Sequence, residues 1–116
     1  MQKGKETTMK HLDILLVCGS GASSGFMAVN MRKAAAKHNV DATITARSEA
    51  EIDSYIDQID ALMIGPHLKY LADELQVKYA DKPVKVILMK PEYYSMLNGE
   101  KALKHLITVL REDAKK

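Results

Sequence analysis

The 116-residue sequence predicts an α/β fold: a single-domain open sheet of four parallel strands in the order 2-1-3-4, with helices on both faces, Rossmann-like in layout. Three observations predict it. Short apolar runs alternate with longer amphipathic ones, the pattern of successive βαβ units. The first run, His11 to Val17, is almost continuously apolar and stops at a glycine-rich turn, as a strand covered on both faces does. The second, Ala42 to Ala46, alternates apolar residues with threonine, which suits an edge strand with one wetter face. With strand two at an edge, the chain reverses direction across the sheet between strands one and three. Ligands of such sheets bind at the carboxyl ends of the strands flanking that reversal.

The elements follow in order. After strand one, Met27, Met31, Ala34 and His38 recur at helical spacing, and Ala34 to Ala36 favour helix, so a first helix is predicted from about Ser23 to His38, with Asn39 as its stop. Ser48 and Glu51 have the spacing of a capping box ahead of Ile52, Ile56 and Ile59, which mark a short second helix. Ala61 to Ile64 is a short, wholly apolar third strand ended by Gly65 and Pro66. Leu68, Leu71, Ala72, Leu75 and Tyr79 form the apolar face of a third helix. Val84 to Met89 is the fourth strand, ending before Pro91. From about Asn98, Leu103, Leu106, Ile107 and Leu110 stripe a closing helix whose end, with Lys115 and Lys116, is expected to fray. Each parallel crossover needs such a helix and is right-handed.

Composition narrows the function. The length suits one domain, and 47% hydrophobic residues is the content of an ordinary globule. A chain this long buries roughly two thirds of its unfolded surface and needs no disulfide or structural metal. Its 17 basic and 15 acidic residues are intermixed, with no run of like charge to grip nucleic acid or anionic lipid. No apolar run approaches the roughly 20 residues that span a bilayer. The segment from Met1 to Lys10 is polar and does not read as a secretion signal, so the expected compartment is the cytoplasm. The single cysteine, Cys18, supplies neither a disulfide nor a thiolate metal set. His11, His38 and His105 lack the spacing of metal ligands, so no metal or cofactor is expected.

Cys18 opens the most informative stretch, Cys18-Gly19-Ser20-Gly21-Ala22-Ser23-Ser24-Gly25. The glycines let backbone amides converge, the serines add hydroxyl donors, and the helix that follows turns its positive end to the same place. Such a cup holds a phosphate dianion without a metal. The same field favours the thiolate and is expected to lower the Cys18 pKa. The plainer alternative is a small buried residue at a strand end beside an ordinary turn; eight consecutive residues of anion-binding chemistry at the reversal favour the nucleophile.

Known phosphate loops fit unequally. Ser24 stands where a dinucleotide GxGxxG needs its third glycine, and no lysine follows at Walker spacing. A small cysteine phosphatase also carries its nucleophile after strand one, in the pattern CX5R. Ser24 occupies that arginine position, and no Asp-Pro acid loop is present. Lacking the guanidinium clamp and the acid, hydrolysis is expected to be slow. A cup that forms a phosphothiol ester without helping water attack it is suited to carrying the group onward.

The segments ILLVCGSGASSG, MAVNMRKAA, IGPHLKYL and EYYSMLNGEKAL together resemble the enzyme IIB subunits of the bacterial phosphoenolpyruvate-dependent sugar phosphotransferase system, of the lactose/cellobiose/chitobiose type, over about Lys10 to Leu110. The resemblance implies a IIB domain at residues 10–112, between an N-terminal extension at 1–9 and a frayed tail at 113–116. It implies a cytoplasmic phosphocarrier, a phosphotransferase in which phosphohistidine on a IIA partner gives its phosphoryl group to Cys18. Cys18 then passes it to a sugar, of cellobiose, lactose or chitobiose kind, bound by the IIC membrane permease. Phosphate contacts map onto Gly19, Ser20, Gly21, Ala22, Ser23 and Ser24, the serines doubling as candidate helix caps. The family's turn after strand three often reads Gly-Pro-Gln; here Gly65, Pro66 and His67 form a possible second loop, with His67 either a phosphate donor or a surface histidine. Tyr93, Tyr94 and Met96 are read as packing of the final loop or as a docking rim. Alternative functions are a noncatalytic phosphate- or nucleotide-binding regulatory module and a cysteine phosphatase-like hydrolase.

Overall fold

The computed structural model describes residues 11–18 and 21–114, with the side chains of 21–24, 113 and 114 outside the description. Among the described residues the strands are β1 (Leu12–Val17), β2 (Ala42–Ala46), β3 (Ala61–Ile64) and β4 (Lys85–Leu88), all parallel, in the spatial order β2-β1-β3-β4. The expected 2-1-3-4 sheet is therefore present. Leu12 to Leu16 pair with Ala42 to Ala46, Ile14 to Val17 with Ala61 to Ile64, and Ala61 to Ile64 with Lys85 to Leu88.

Strand alternation divides the core into two layers. Ile14, Leu16, Met63 and Ile87 face α1 (Gly21–Lys37) and α5 (Gly99–Ala114), meeting Met27, Met31, Leu103 and Leu106. Leu15, Val17, Leu62 and Ile64 face the opposite way, toward α2 (Ile52–Tyr55) and α3 (Lys69–Lys78), meeting Ile52, Ile56, Leu71 and Leu75. Both faces of β1 are thus covered, which is why its sequence is continuously apolar rather than alternating.

α1 begins at Gly21, earlier than the predicted Ser23, and His38 is exposed beyond its last turn rather than part of its buried stripe. The helix closes in a Schellman motif. Asn39 takes φ 58° while Val40 N–H donates to Ala35 at 2.8 Å and Asn39 N–H to Ala36 at 3.3 Å, so asparagine is indeed the stop. Glu51 reaches back to the Ser48 amide at 3.3 Å, as the capping-box spacing predicts, although α2 is a single turn after a 3₁₀ turn at Glu49–Glu51. One α-helix among the described residues was not predicted: α4 (Pro91–Tyr94), a single turn with proline at its first position. Asn98 caps α5 by accepting from the Lys101 amide at 3.1 Å. α5 meets α1 at backbone distance: a Cβ on Gly99 would stand 2.3 Å from the Asn30 carbonyl carbon. Asn30 Nδ2 donates to the Leu97 carbonyl at 2.8 Å across the same seam. The expectations for residues 1–9 and for Lys115 and Lys116 lie outside the described residues; α5 itself runs to Ala114.

Candidate functional site

Cys18 directly follows β1 and Gly65 directly follows β3, so the two loops named from sequence meet at the carboxyl ends of neighbouring strands, where the chain reverses. The strand ends are tied there: Gly65 N–H donates to Val17 at 2.9 Å, and Met89 N–H to Ile64 at 2.8 Å.

Pro66 opens a 3₁₀ turn, Pro66–Leu68, that carries His67 back over the end of β1. His67 Nε2 lies 2.7 Å from the Cys18 carbonyl oxygen. A carbonyl only accepts, so Nε2 is the protonated nitrogen. The close approach explains Gly65. Its φ of −59° is open to any residue, yet a Cβ there would stand 2.8 Å from His67 Cε1, 3.2 Å from Nδ1 and 3.3 Å from Cys18 Cα. The His67 ring also lies beside Tyr94, centroids 5.9 Å apart and planes tilted by 46°.

Cys18 is 1% exposed and packs with the α1/α5 layer of the core. Burial pushes its thiol pKa up, and a hydrogen bond with the Tyr94 hydroxyl opposes that more weakly. The expectation of a lowered pKa is therefore corrected, because a residue string displays donors but not the burial of the sulfur they surround.

Of the other expected site residues, Gly19 and Ser20 lie outside the described residues. Gly21, Ala22, Ser23 and Ser24 form the first turn of α1 rather than a loop ahead of it. At a helix start the amides of Gly21, Ala22 and Ser23 have no intrahelical acceptor. Tyr94 is the residue that sequence reading undervalued. Its signal was Pro91, which read as the end of a strand but starts a one-turn helix whose last residue, Tyr94, comes beside the His67 ring.

The remaining candidates hold the scaffold. Arg32 Nε donates to the Ile44 carbonyl at 2.9 Å, joining α1 to β2. Arg47 donates to the Tyr55 hydroxyl at 3.0 Å and to the Ala46 carbonyl at 2.8 Å. His11 sits between Asp41 and Thr43, each at 2.8 Å, and the Asp41 bond raises its pKa. His105 Nδ1 is 2.6 Å from the Tyr93 hydroxyl, so Tyr93 is a buried packing residue, as the plainer of its two readings had it. A cavity of about 510 Å³ lined by Gln76, Tyr79 and Pro83 to Val86 opens at the entry to β4, the opposite end of the sheet from Cys18. No described helix is long and apolar enough to cross a membrane.

Residues 13–105 match the family described as the PTS system, lactose/cellobiose specific IIB subunit. The galactose-specific EIIB component of Lactococcus lactis subsp. cremoris is 32% identical over 95 residues, spanning 78% of this chain and 88% of its own. The oligo-beta-mannoside-specific EIIB component of Bacillus subtilis is 28% identical over 97 residues, spanning 84% and 94%. Among solved structures, the cellobiose-specific IIB protein of Borrelia burgdorferi superposes with a TM-score of 0.73 at 27% identity, covering 89% of this chain and 94% of that one. The lactose-specific IIB domain of Streptococcus pneumoniae, at 17% identity, shares the fold with a TM-score of 0.76 over 85% and 97%.

Proposed function

Because the chain belongs to the lactose/cellobiose specific IIB subunits of the phosphotransferase system, we propose that it is a cytoplasmic phosphocarrier whose acceptor atom is the Cys18 sulfur. The phosphoryl donor is phosphohistidine on a IIA partner, and the acceptor is a sugar held by a IIC permease. The family description names lactose and cellobiose, which supports a disaccharide of the cellobiose, lactose or chitobiose kind, while relatives are also named for galactose and oligo-beta-mannoside. The observation that carries the reading is the position of Cys18 at the reversal of the sheet, between the end of β1 and the amino end of α1.

Both transfers are in-line displacements through a loose transition state, so the protein's task is to position groups and stabilise charge. In the first, the sulfur forms its bond to phosphorus as the histidine nitrogen leaves. The thiol proton, which burial holds on Cys18 at neutral pH, goes to that imidazole nitrogen. In the second, the sugar hydroxyl oxygen attacks, the S–P bond breaks toward sulfur, and the hydroxyl proton ends on the thiol. The amides of residues 19–24 hold the equatorial oxygens. A serine at position 24 offers no guanidinium clamp, so water competes poorly and the ester survives for transfer.

A second reading rests on the 1% exposure of Cys18, which favours a noncatalytic anion-binding module. Reconstitution separates the two. With labelled phosphoenolpyruvate, the upstream carriers and vesicles bearing the permease, wild-type chain yields sugar phosphate. Cys18→Ser halts the label on the IIA protein. Continued sugar phosphorylation by Cys18→Ser would remove the carrier reading.

A further inference from the structure

We propose that His67 is a positioning residue for Cys18: its Nε2–H bond to the Cys18 carbonyl locks the backbone of Cys18 where it leaves β1. The phosphoryl-transfer part of this rests on the reading above; the lock itself does not. A trans peptide is planar and carries its C=O and following N–H in opposite directions. Fixing the Cys18 carbonyl therefore restrains the backbone of Cys18 itself, and with it the end of β1 from which the sulfur is presented. Misplacement of such a group by a fraction of an ångström is enough to slow a transfer that depends on alignment.

The ring is itself constrained for this task. Its Cε1 and Nδ1 edge lies over Gly65, where a Cβ would stand 2.8 Å from Cε1, and Tyr94 lies beside it in a tilted ring contact. The same geometry denies His67 two other roles. Nε2 carries the proton and spends it on a carbonyl, so it has no lone pair for the thiol, and Nδ1 faces Gly65. A cysteine–histidine nucleophile pair, in which the ring accepts the thiol proton, is not what this arrangement builds.

The test compares His67→Gln with His67→Ala in the intact chain. Glutamine supplies an amide N–H donor but cannot act as a base; alanine supplies neither. Single-turnover loading of Cys18 from the phosphorylated IIA partner is expected to slow about tenfold in His67→Ala, the scale of one lost hydrogen bond. In His67→Gln it stays within about threefold of wild type. The thermal midpoint of His67→Ala is expected to fall by only about 4–8 °C, the share of one hydrogen bond, so that all three stay folded at the assay temperature, with His67→Gln nearer to wild type. His67→Gln as slow as His67→Ala, or His67→Ala as fast as wild type, overturns the proposal. On wild type, nitrogen NMR is expected to show Nε2 protonated and coupled through its hydrogen bond to the Cys18 carbonyl carbon. A ring protonated only at Nδ1 overturns the lock even if alanine fails to fold. Absence of phosphoryl uptake by wild type, with that coupling present, would count against the carrier reading and leave the lock standing.

Discussion

Gly65→Ala separates what holds the fold from what holds the site. The residue's φ of −59° suits alanine, and losing glycine's freedom in the unfolded chain favours the variant by about 0.4–1 kcal/mol. Against that, the new methyl would lie 2.8 Å from His67 Cε1, whereas carbon pairs rest at about 3.5 Å or more, so the ring must withdraw by about 0.7 Å. The 2.7 Å bond to the Cys18 carbonyl then stretches toward the limit at which it ceases to be one, a loss of about 1 kcal/mol. The opposing contributions nearly cancel. Urea unfolding is expected to give a free energy within about 1 kcal/mol of wild type, while single-turnover phosphorylation of Cys18 slows about tenfold and the carbonyl coupling to His67 disappears. Loss of that coupling with an unchanged rate would refute the link between ring placement and transfer. A loss of more than about 3 kcal/mol would refute the claim that the collision is with a movable side chain.

Gly99→Ala collides instead with backbone, at 2.3 Å from Asn30, and overpacking of that kind costs at least about 1–3 kcal/mol, so its urea midpoint is expected well below that of Gly65→Ala. Tyr94→Phe removes the contact that lowers the Cys18 pKa, so the pH midpoint of iodoacetamide alkylation, already above the ordinary thiol range, is expected to move higher; a downward shift would contradict the hydrogen bond. Burial, with the Lys90 charge, holds His105 below the ordinary imidazole value of 6.5. The unfolded chain therefore binds that proton more readily, so this contribution to stability is present above pH 6.5 and lost as pH falls toward the folded value. His105→Gln is expected to flatten that part of the stability curve in chemical denaturation.

The sheet was legible because its signals are local and periodic. Ala61 to Ile64 is four apolar residues between turn formers, and threonine at positions 43 and 45 marks β2 as the edge. α4 was not, since one turn of four residues has no period to detect, and Pro91 reads equally well as a strand terminator and as a helix start. Position 18 at the reversal follows from strand order. Its pKa does not, because desolvation depends on packing from α1 and α5, far away in sequence. Gly65 was read as punctuation beside a proline; its reason is His67 crossing above it, which only the tertiary arrangement reveals. Placing His67 at the correct edge was within reach of the sequence. Which nitrogen it commits, and to which acceptor, was not.

The most direct measurement is the intact mass of the chain after incubation with its phosphorylated IIA partner, followed by fragmentation to locate any adduct. A single added phosphoryl group on the sulfur of residue 18, absent from Cys18→Ser, is the predicted result. An unchanged mass beside a donor shown to be competent, or an adduct on any other side chain, would contradict it.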